Sequence, residues 1–221
     1  MGYEELKRMT PEAREKYLEI IRSIPPGKKL RMAIERDEAI LRVLSILQEF
    51  EIPYMIVGSY AASVYGFTRR THDLDIVVVL DRESVPKLAN SLCPEFYFDQ
   101  QSALEAIERR DMVNAIHIDS GVKIDFWVLR ADEYSQVQFS RRVCTDFEGV
   151  SAYVASAEDT ILSKLLWYRE TPSERQLSDV RGILEVSKDR LDWRYLNEWA
   201  PRLSLEDLLG RIARDERGTG A

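Results

Sequence analysis

The chain has 221 residues and a formal net charge of −7, with 45% hydrophobic and 31% charged side chains. This balance is typical of a globular protein of one or two domains and excludes disordered and fibrous classes. No apolar run approaches the roughly 18 residues that cross a membrane, and no apolar signal segment follows the N-terminus, so we expect a cytoplasmic protein without a membrane partner. The acidic balance argues against nucleic-acid binding over the whole surface but allows a local basic patch.

The few cysteines and histidines limit which metal sites the chain can form. Cys93 and Cys144 are the two cysteines of the sequence, and neither belongs to a CxxC motif or lies in a histidine cluster. A zinc site or a disulfide framework is therefore not predicted. We expect two buried free thiols in a reducing compartment.

The first 50 residues are predicted to be helical. One helix begins near Pro11 and runs to about Ser23, where the Pro25-Pro26-Gly27 turn ends it. A second helix begins near residue 30, and Pro53 breaks the chain after it. Apolar residues recur along that helix at helical spacing, namely Ile34, Ile40, Leu41, Leu44 and Leu47.

The middle of the chain alternates short apolar runs with helical patterns. Apolar runs bounded by turn residues predict strands at 54–57, 73–80, 112–118, 122–129 and 150–154. Helices are predicted at 59–65 and 85–92, and the turn at 119–121 predicts a hairpin. The pattern predicts an α/β (α+β) fold built on a small mixed sheet flanked by helices.

The last third of the chain is predicted to be a helical bundle. Ser156 with Asp159 three residues later is typical of a capping box at a helix start. Helices are predicted at 157–170, 173–186, 193–199 and 205–212. We therefore expect three parts: N-terminal helices in residues 1–50, a sheet domain in 51–155 and a C-terminal helical domain in 156–221.

Two carboxylates stand at the start of a predicted strand. Asp73 and Asp75 are two residues apart, so both side chains point to one face while Leu74 points to the other. Neighbouring carboxylates repel one another unless a cation lies between them, and hard oxygen ligands suit Mg²⁺ or Mn²⁺. The alternative is a pair of solvated aspartates at a strand end.

Asp125 strengthens the metal interpretation. It lies in the middle of the apolar strand 122–129, on the same face as Lys123 and Trp127. A carboxylate in such a strand is costly to bury without a partner. If this strand lies beside the strand of Asp73 and Asp75, the three carboxylates can hold two Mg²⁺ ions for phosphoryl or nucleotidyl transfer.

Gly58 and Ser59 join a predicted buried strand to a helix. Free amide groups at a helix start favour phosphate, and glycine allows a close approach. Ser59 as a simple helix N-cap, worth roughly 1 kcal/mol, is the alternative. The sequence contains neither a Walker A motif nor GxGxxG, so P-loop and Rossmann sites are not predicted.

The segments GSYAASVYGFTRRTHDLDIVV and VKIDFWVL together resemble the nucleotidyltransferase fold superfamily. The stretch SAEDTILSKLLWYRETPSERQLSDVRGIL is similar to the helical region of AbiEii-type nucleotidyltransferases, the toxins of abortive-infection and toxin–antitoxin systems. The resemblance covers roughly residues 50–215. It implies Gly58 and Ser59 as triphosphate-binding residues and three metal ligands: Asp73, Asp75 and Asp125.

The resemblance also implies a lysine and an aspartate in the helical region. Lys164 would contact phosphate, and Asp179 would be a further active-site carboxylate. From the residues alone, Lys164 is equally explained as a lysine with a partly buried stem, and Asp179 as the surface partner of Arg175. Arg70, with its neighbours on the loop before the DxD, would contact the nucleotide or a nucleic-acid acceptor, or simply be a solvated basic residue.

The resemblance implies an Mg²⁺-dependent (or Mn²⁺-dependent) enzyme that transfers NMP from an NTP to an acceptor hydroxyl. A tRNA 3′ end, a protein hydroxyl and an antibiotic or other small molecule are candidate acceptors, and an antitoxin protein is a candidate partner. The acidic charge puts a tRNA acceptor in doubt. Two alternatives remain: a non-catalytic nucleotide-binding or antitoxin-like module, and a DxD glycosyltransferase, which would leave Gly58-Ser59 and Asp125 unexplained.

Overall fold

The computed structural model describes residues 15, 18–19, 22–27, 38–67, 73–147 and 150–218. The chain divides into two compact units. The sheet unit comprises Ile34–Tyr60 and Arg70–Ala155, and the helical unit comprises Met1–Ala33, Ala61–Arg69 and Ser156–Ala221. The three-part division at residues 50 and 155 remains our proposal for the domain organisation.

The sheet unit is built on a mixed sheet, as predicted. Its strands are β1 (Tyr54–Ile56), β2 (Asp73–Val78), β3 (Phe96–Phe98), β4 (Met112–His117), β5 (Lys123–Val128), β6 (Val143–Phe147) and β7 (Val150–Val154). They lie in the order β3-β4-β5-β2-β1-β7-β6. The β2–β5 and β1–β7 pairs are parallel, and the other neighbours are antiparallel.

Side-chain alternation gives this sheet two different faces. In β2, Leu74 and Ile76 are fully buried, whereas Asp73 is exposed and Asp75 is half-buried. Residues directly opposite one another on neighbouring strands share a face. We call the face that bears Asp73, Asp75 and their cross-strand partners the open face.

The described helices are α1 (Glu38–Glu49), α2 (Gly58–Tyr65), α3 (Ser84–Leu92), α4 (Gln100–Arg109), α5 (Glu133–Ser140), α6 (Ala157–Glu170), α7 (Glu174–Ser187), α8 (Trp193–Arg202) and α9 (Glu206–Gly218), with a 3-10 turn at Lys188–Arg190. Helix α1 buries Ile40, Leu44 and Leu47 and contacts α3 and β7. Hydrophobic spacing therefore predicted this helix correctly from Glu38 onward, while the predicted start near residue 30 lies outside the described residues.

The helical unit is held together at the start of α6. The Ser156 hydroxyl caps this helix by accepting from the Asp159 N–H at 3.1 Å, as the capping-box pattern predicted. The Asp159 carboxylate is fully buried and accepts from the hydroxyls of Ser156 at 2.7 Å and Tyr195 at 2.6 Å. Because Tyr195 belongs to α8, this buried network fixes α8 against α6.

Four elements of the sheet unit escaped the sequence prediction: β3, α4, α5 and β6. Strand β3 has three residues, which is too short to show a period. Helices α4 and α5 do carry aspartate N-caps, Asp99 and Asp132, whose side chains accept from backbone N–H groups. Those capping signals could have indicated both helices.

The cysteine prediction was wrong in one respect. Cys93 and Cys144 are free thiols, but both are exposed rather than buried. Cys93 ends helix α3 and Cys144 lies on the edge strand β6, where side chains reach solvent. Within the described part of the chain, no helix combines the length and apolar character that a membrane crossing requires.

Candidate functional site

The three predicted aspartates of the sheet unit lie together on the open face. Strands β2 and β5 are parallel neighbours, and their register sets Asp75 directly beside Asp125. Asp73 lies beside Lys123 in the preceding row. Cross-strand partners of this kind have Cβ atoms about 5 Å apart, so the carboxylates form one cluster.

Asp125 is the buried member of the cluster, with its residue 6% exposed. Its Oδ1 accepts from the Asn114 side-chain amide at 2.5 Å, and its Oδ2 lies 2.9 Å from the Lys123 Nζ. Asn114 is the β4 residue directly opposite Asp125. The buried carboxylate is thus hydrogen-bonded on one oxygen and paired with an ammonium on the other, as burial of a charge requires.

Asp75 lies between an indole and a glycine. The Trp127 indole N–H donates to Asp75 Oδ1 at 3.4 Å. On the other side, a Cβ atom added to Gly58 would overlap Asp75 Oδ2, and Gly58 has a φ of +65°. Both the space and the backbone conformation therefore require glycine at this position.

The glycine–serine turn has the predicted strand-to-helix form. Strand β1 ends at Ile56, and helix α2 begins at Gly58 itself, one residue earlier than predicted. The Val57 N–H donates to the Asp75 carbonyl at 2.9 Å, which fixes the turn against β2. The start of a helix favours an anion, so this turn offers a place for one beside the carboxylates.

Lys123 brings one positive charge to the three carboxylates. The hydrogen bond to Asp125 raises the pKa of Lys123 above its usual range, although partial burial acts against it, and the charges of Asp125, Asp73 and Asp75 raise it further. Lys123 is therefore charged at neutral pH. Its ammonium lies 2.9 Å from Asp125 Oδ2, so it competes for an oxygen that a metal ion would use.

The donor set of the cluster fits a hard divalent cation, because three carboxylates are the ligands that Mg²⁺ prefers. The side chains are nevertheless not closed around such an ion. Among the described residues, no group of three Asp, Glu, His or Cys side chains is arranged to hold a metal. A metal ion bound through Asp125 Oδ2 would compete with the Lys123 ammonium.

Lys164 and Asp179 form a pair of their own in the helical unit. Lys164 Nζ on α6 lies 2.8 Å from Asp179 Oδ2 on α7, and the two side chains are 6% and 7% exposed. The side chains of both residues are thus largely buried, and the expected surface position of Asp179 is wrong. The predicted contact of Arg70 lies outside the described residues.

Comparison with known proteins finds similarity to solved structures and not to known sequences. Neither a protein-family model nor a curated protein sequence matches this chain. An antigenic nucleotidyltransferase-like protein from Paracoccidioides brasiliensis superposes with a TM-score of 0.51 at 17% identity, over 85% of this chain and 93% of that one. The chain has the nucleotidyltransferase fold.

Two further structures of this fold superpose less closely. The antibiotic-resistance factor ANT(2'')-Ia gives a TM-score of 0.47 at 15% identity, over 81% of this chain and 94% of that one. The lincosamide antibiotic adenylyltransferase LnuA gives 0.46 at 11% identity, over 68% of this chain and 97% of that one.

Sequence reasoning missed three contacts of the cluster, those made by Lys123, Trp127 and Asn114. The pattern put Lys123 and Trp127 on the face of Asp125 but gave them no role, and Asn114 was not singled out. Strand alternation in 112–118 sets Asn114 two residues from Met112 on one face. A polar residue in that position was the available signal, but its partner depended on the register between β4 and β5.

Proposed function

We propose that this chain is a divalent-metal-dependent nucleotidyltransferase that transfers NMP from an NTP to an acceptor hydroxyl. The observation that carries the proposal is the direct pairing of Asp75 with Asp125 across β2 and β5, with Asp73 in the adjacent row. The Gly58 turn against Asp75 adds a place for phosphates next to the same carboxylates.

In this proposal the residues of the sheet unit have three roles: they bind phosphate, bind the metal ion and orient Asp125. Gly58 and Ser59 bind the distal phosphates through the start of α2. Asp73, Asp75 and Asp125 hold Mg²⁺ or Mn²⁺, which when bound would polarise the phosphates and lower the pKa of the acceptor hydroxyl. Asn114 orients Asp125 through its 2.5 Å hydrogen bond.

The reaction forms one bond and breaks one. The acceptor oxygen bonds to the α-phosphorus, the bond from that phosphorus to the bridging oxygen breaks, and pyrophosphate leaves with the electron pair. The acceptor hydroxyl loses one proton, for which Asp125 is the proposed acceptor.

The roles of three residues rest on the sequence resemblance. Lys164 as a phosphate contact, Asp179 as a further carboxylate and Arg70 as a nucleotide contact remain proposals. The same holds for the narrower likeness to AbiEii-type toxins, with a tRNA or protein acceptor and an antitoxin partner.

One observation favours the non-catalytic alternative. Lys123 lies 2.9 Å from Asp125 Oδ2, so a cation already occupies part of the carboxylate cluster. A nucleotide-binding module without turnover could keep that ammonium in place. The alternative therefore predicts NTP binding without transfer.

A transfer assay tests the proposal. The protein is incubated with each α-labelled NTP, Mg²⁺, total tRNA and cell lysate, and the labelled species is separated by size and nuclease or protease digestion. We expect label transfer that requires the divalent ion. Asp75→Asn should lower it at least about a hundredfold, since a lost metal ligand removes several kcal/mol of transition-state stabilisation.

Asp189→Asn is the matched control, because Asp189 is an exposed aspartate of the 3-10 turn. It should transfer label at the wild-type rate. Equal transfer by Asp75→Asn would show that the site assignment is wrong. Calorimetric binding of NTP with Mg²⁺ but no labelled acceptor would favour the non-catalytic module.

A further inference from the structure

The open face continues beyond the carboxylates toward the edge strand β3. The register joins four residues in one row across the sheet: Asp73 on β2, Lys123 on β5, Ile116 on β4 and Tyr97 on β3. Direct cross-strand partners share a face. Tyr97 and Ile116 therefore lie on the same surface as the carboxylate cluster.

This end of the row is apolar and accessible. Tyr97 is 64% exposed and Ile116 39% exposed, and Ile118, just beyond β4, is 62% exposed. The Ile118 N–H donates to the Glu95 carbonyl at 2.9 Å, so the β3–β4 pairing extends to it. We call Tyr97, Ile116 and Ile118 the apolar strip.

Such exposure is unusual in this chain. In the described part, six large hydrophobic side chains are exposed, and three of them form the apolar strip. Single exposed apolar residues need no explanation, but a contiguous group marks a binding surface. A tyrosine ring beside two isoleucines offers a flat apolar platform on which a ring can stack.

The order of the strands determines which substrate the strip can meet. Gly58 lies against Asp75 from the β1 side, whereas β4 and β3 lie on the opposite side of β5. In an in-line displacement, the leaving group and the attacking group occupy opposite sides of the phosphorus. If the leaving pyrophosphate lies toward Gly58, the acceptor comes from the side of the apolar strip.

The distance from the strip to the carboxylates and the charges on the open face further restrict which acceptor can bind. Two strand spacings separate β5 from β3, so Tyr97 lies about 10 Å from the column of Asp125. The cross-strand rows described above carry three carboxylates and one ammonium, and the apolar strip itself carries no charge. The one ammonium in these described rows is Lys123, which is paired with Asp125, so a phosphate backbone would meet mainly carboxylates there, whereas nucleic-acid binding depends on cations.

We propose that the apolar strip binds the acceptor, and that the acceptor is an uncharged or cationic small molecule whose flat apolar ring lies about 10 Å from its reacting hydroxyl. This inference rests on the proposed nucleotidyl transfer, since the direction of approach follows from it. Tyr97 stacks on the ring, and Ile116 and Ile118 border it.

Binding of a defined probe tests the inference without turnover. The probe is 2-naphthyl β-D-glucopyranoside, which joins a flat ring to a hydroxylated group and carries no charge. Saturation-transfer NMR should detect its binding to the wild-type protein. Tyr97→Ser and Ile116→Thr should each weaken that binding about tenfold, because stacking and apolar contact are lost.

Val143→Thr is the matched control, because Val143 is 44% exposed on β6 at the opposite edge of the same sheet. It should bind the probe like the wild type. Two strip variants are used so that a folding defect in one, visible as a lowered Tm, leaves the other as the test. Absence of probe binding, or equal binding by both strip variants, would overturn the inference.

Two further measurements distinguish acceptor binding at the apolar strip from the transfer reaction itself and from RNA binding. If the wild type transfers NMP while both strip variants keep the wild-type KM for the acceptor, the strip assignment fails and the transferase stands. If the strip variants weaken binding of a single-stranded RNA oligonucleotide but not of the naphthyl glucoside, the small-molecule acceptor is wrong. Probe binding at the strip without any NMP transfer would instead defeat the proposed function.

Discussion

The chain contains two lysine–aspartate pairs of nearly equal length in very different surroundings. Lys123 Nζ and Asp125 Oδ2 are 2.9 Å apart on the open face, and their side chains are 37% and 9% exposed. Lys164 Nζ and Asp179 Oδ2 are 2.8 Å apart in the helical unit, at 6% and 7% exposed. The distances alone would rank the two pairs as equivalent.

The two lysine–aspartate pairs differ in how much of the lysine side chain is buried. When both charges are removed from water, the loss of either partner leaves an uncompensated charge in a medium that solvates it poorly. When one partner still reaches water, solvent replaces much of the lost interaction. The helical pair is therefore expected to be fixed, and the open-face pair exchangeable, which is the property that a metal or nucleotide site requires.

Removal of the buried lysine is the strongest test of this difference. Lys164→Met leaves the Asp179 carboxylate buried without its ammonium and should lower the free energy of unfolding by about 3–5 kcal/mol. Lys123→Met should lower it by less, since the Lys123 side chain is 37% exposed and the Asn114 amide still donates to Asp125. Urea denaturation in EDTA, followed by tryptophan fluorescence, measures both.

The double variant Lys164→Met with Asp179→Leu is the control for that experiment. Because it removes both charges together, it should recover most of the stability lost in the single variant. If the single variant were as stable as the wild type, solvent would have to reach the pair. The difference in burial between the two pairs would then have no effect on the free energy of unfolding.

The open-face pair gives a prediction about cation binding. Lys123→Met removes a positive charge from the position next to Asp125 Oδ2, so a divalent ion no longer competes with the ammonium. We expect Mn²⁺ to bind on the order of tenfold more tightly, which corresponds to ~1.4 kcal/mol. Electron paramagnetic resonance of free Mn²⁺ measures the affinity without any turnover.

Lys188→Met is the matched control for Mn²⁺ binding, because Lys188 is an exposed lysine of the 3-10 turn. It should leave the Mn²⁺ affinity unchanged. Unchanged or weaker Mn²⁺ binding by Lys123→Met would contradict the idea that this ammonium and a metal ion share one position.

The sequence predicted the parts of the fold that depend on local periodicity. The spacing of Asp73 and Asp75 on one side of β2 followed from the period of two in a strand. The capping pattern of Ser156 and Asp159 predicted the start of α6, because both partners are three residues apart.

Contacts that depend on strand order were out of reach. Asn114 meets Asp125 through the register of β4 on β5, and Tyr97 joins the same face through β3, which the sequence did not predict at all. The buried pairing of Lys164 with Asp179 likewise depends on how α6 packs against α7. A side chain's partner is set by tertiary packing even where its own strand or helix is plain from the sequence.

A helix-capping carboxylate near the surface gives the weakest case of this comparison. Asp99 caps α4 by accepting from the Ser102 N–H at 2.7 Å. Hydrogen bonds from the Ser102 side chain and backbone hold the pKa of Asp99 below its ordinary value. Because the pKa is lower in the folded state, the stabilisation is complete above the ordinary value of about 3.9 and is lost as the pH falls through the folded value.

Asp99→Asn keeps a cap that does not titrate, so it isolates this small contribution. We expect the wild type to have a slightly higher Tm than the variant at pH 7, and the difference to disappear as the pH falls through the lowered pKa of Asp99 in the folded state. Thermal melts across this range measure it. A difference that stayed constant with pH would mean that the charge of Asp99 is irrelevant to the cap. An exposed carboxylate would then owe its whole effect to hydrogen-bond geometry, whereas the effect of the buried Asp179 depends on its charge.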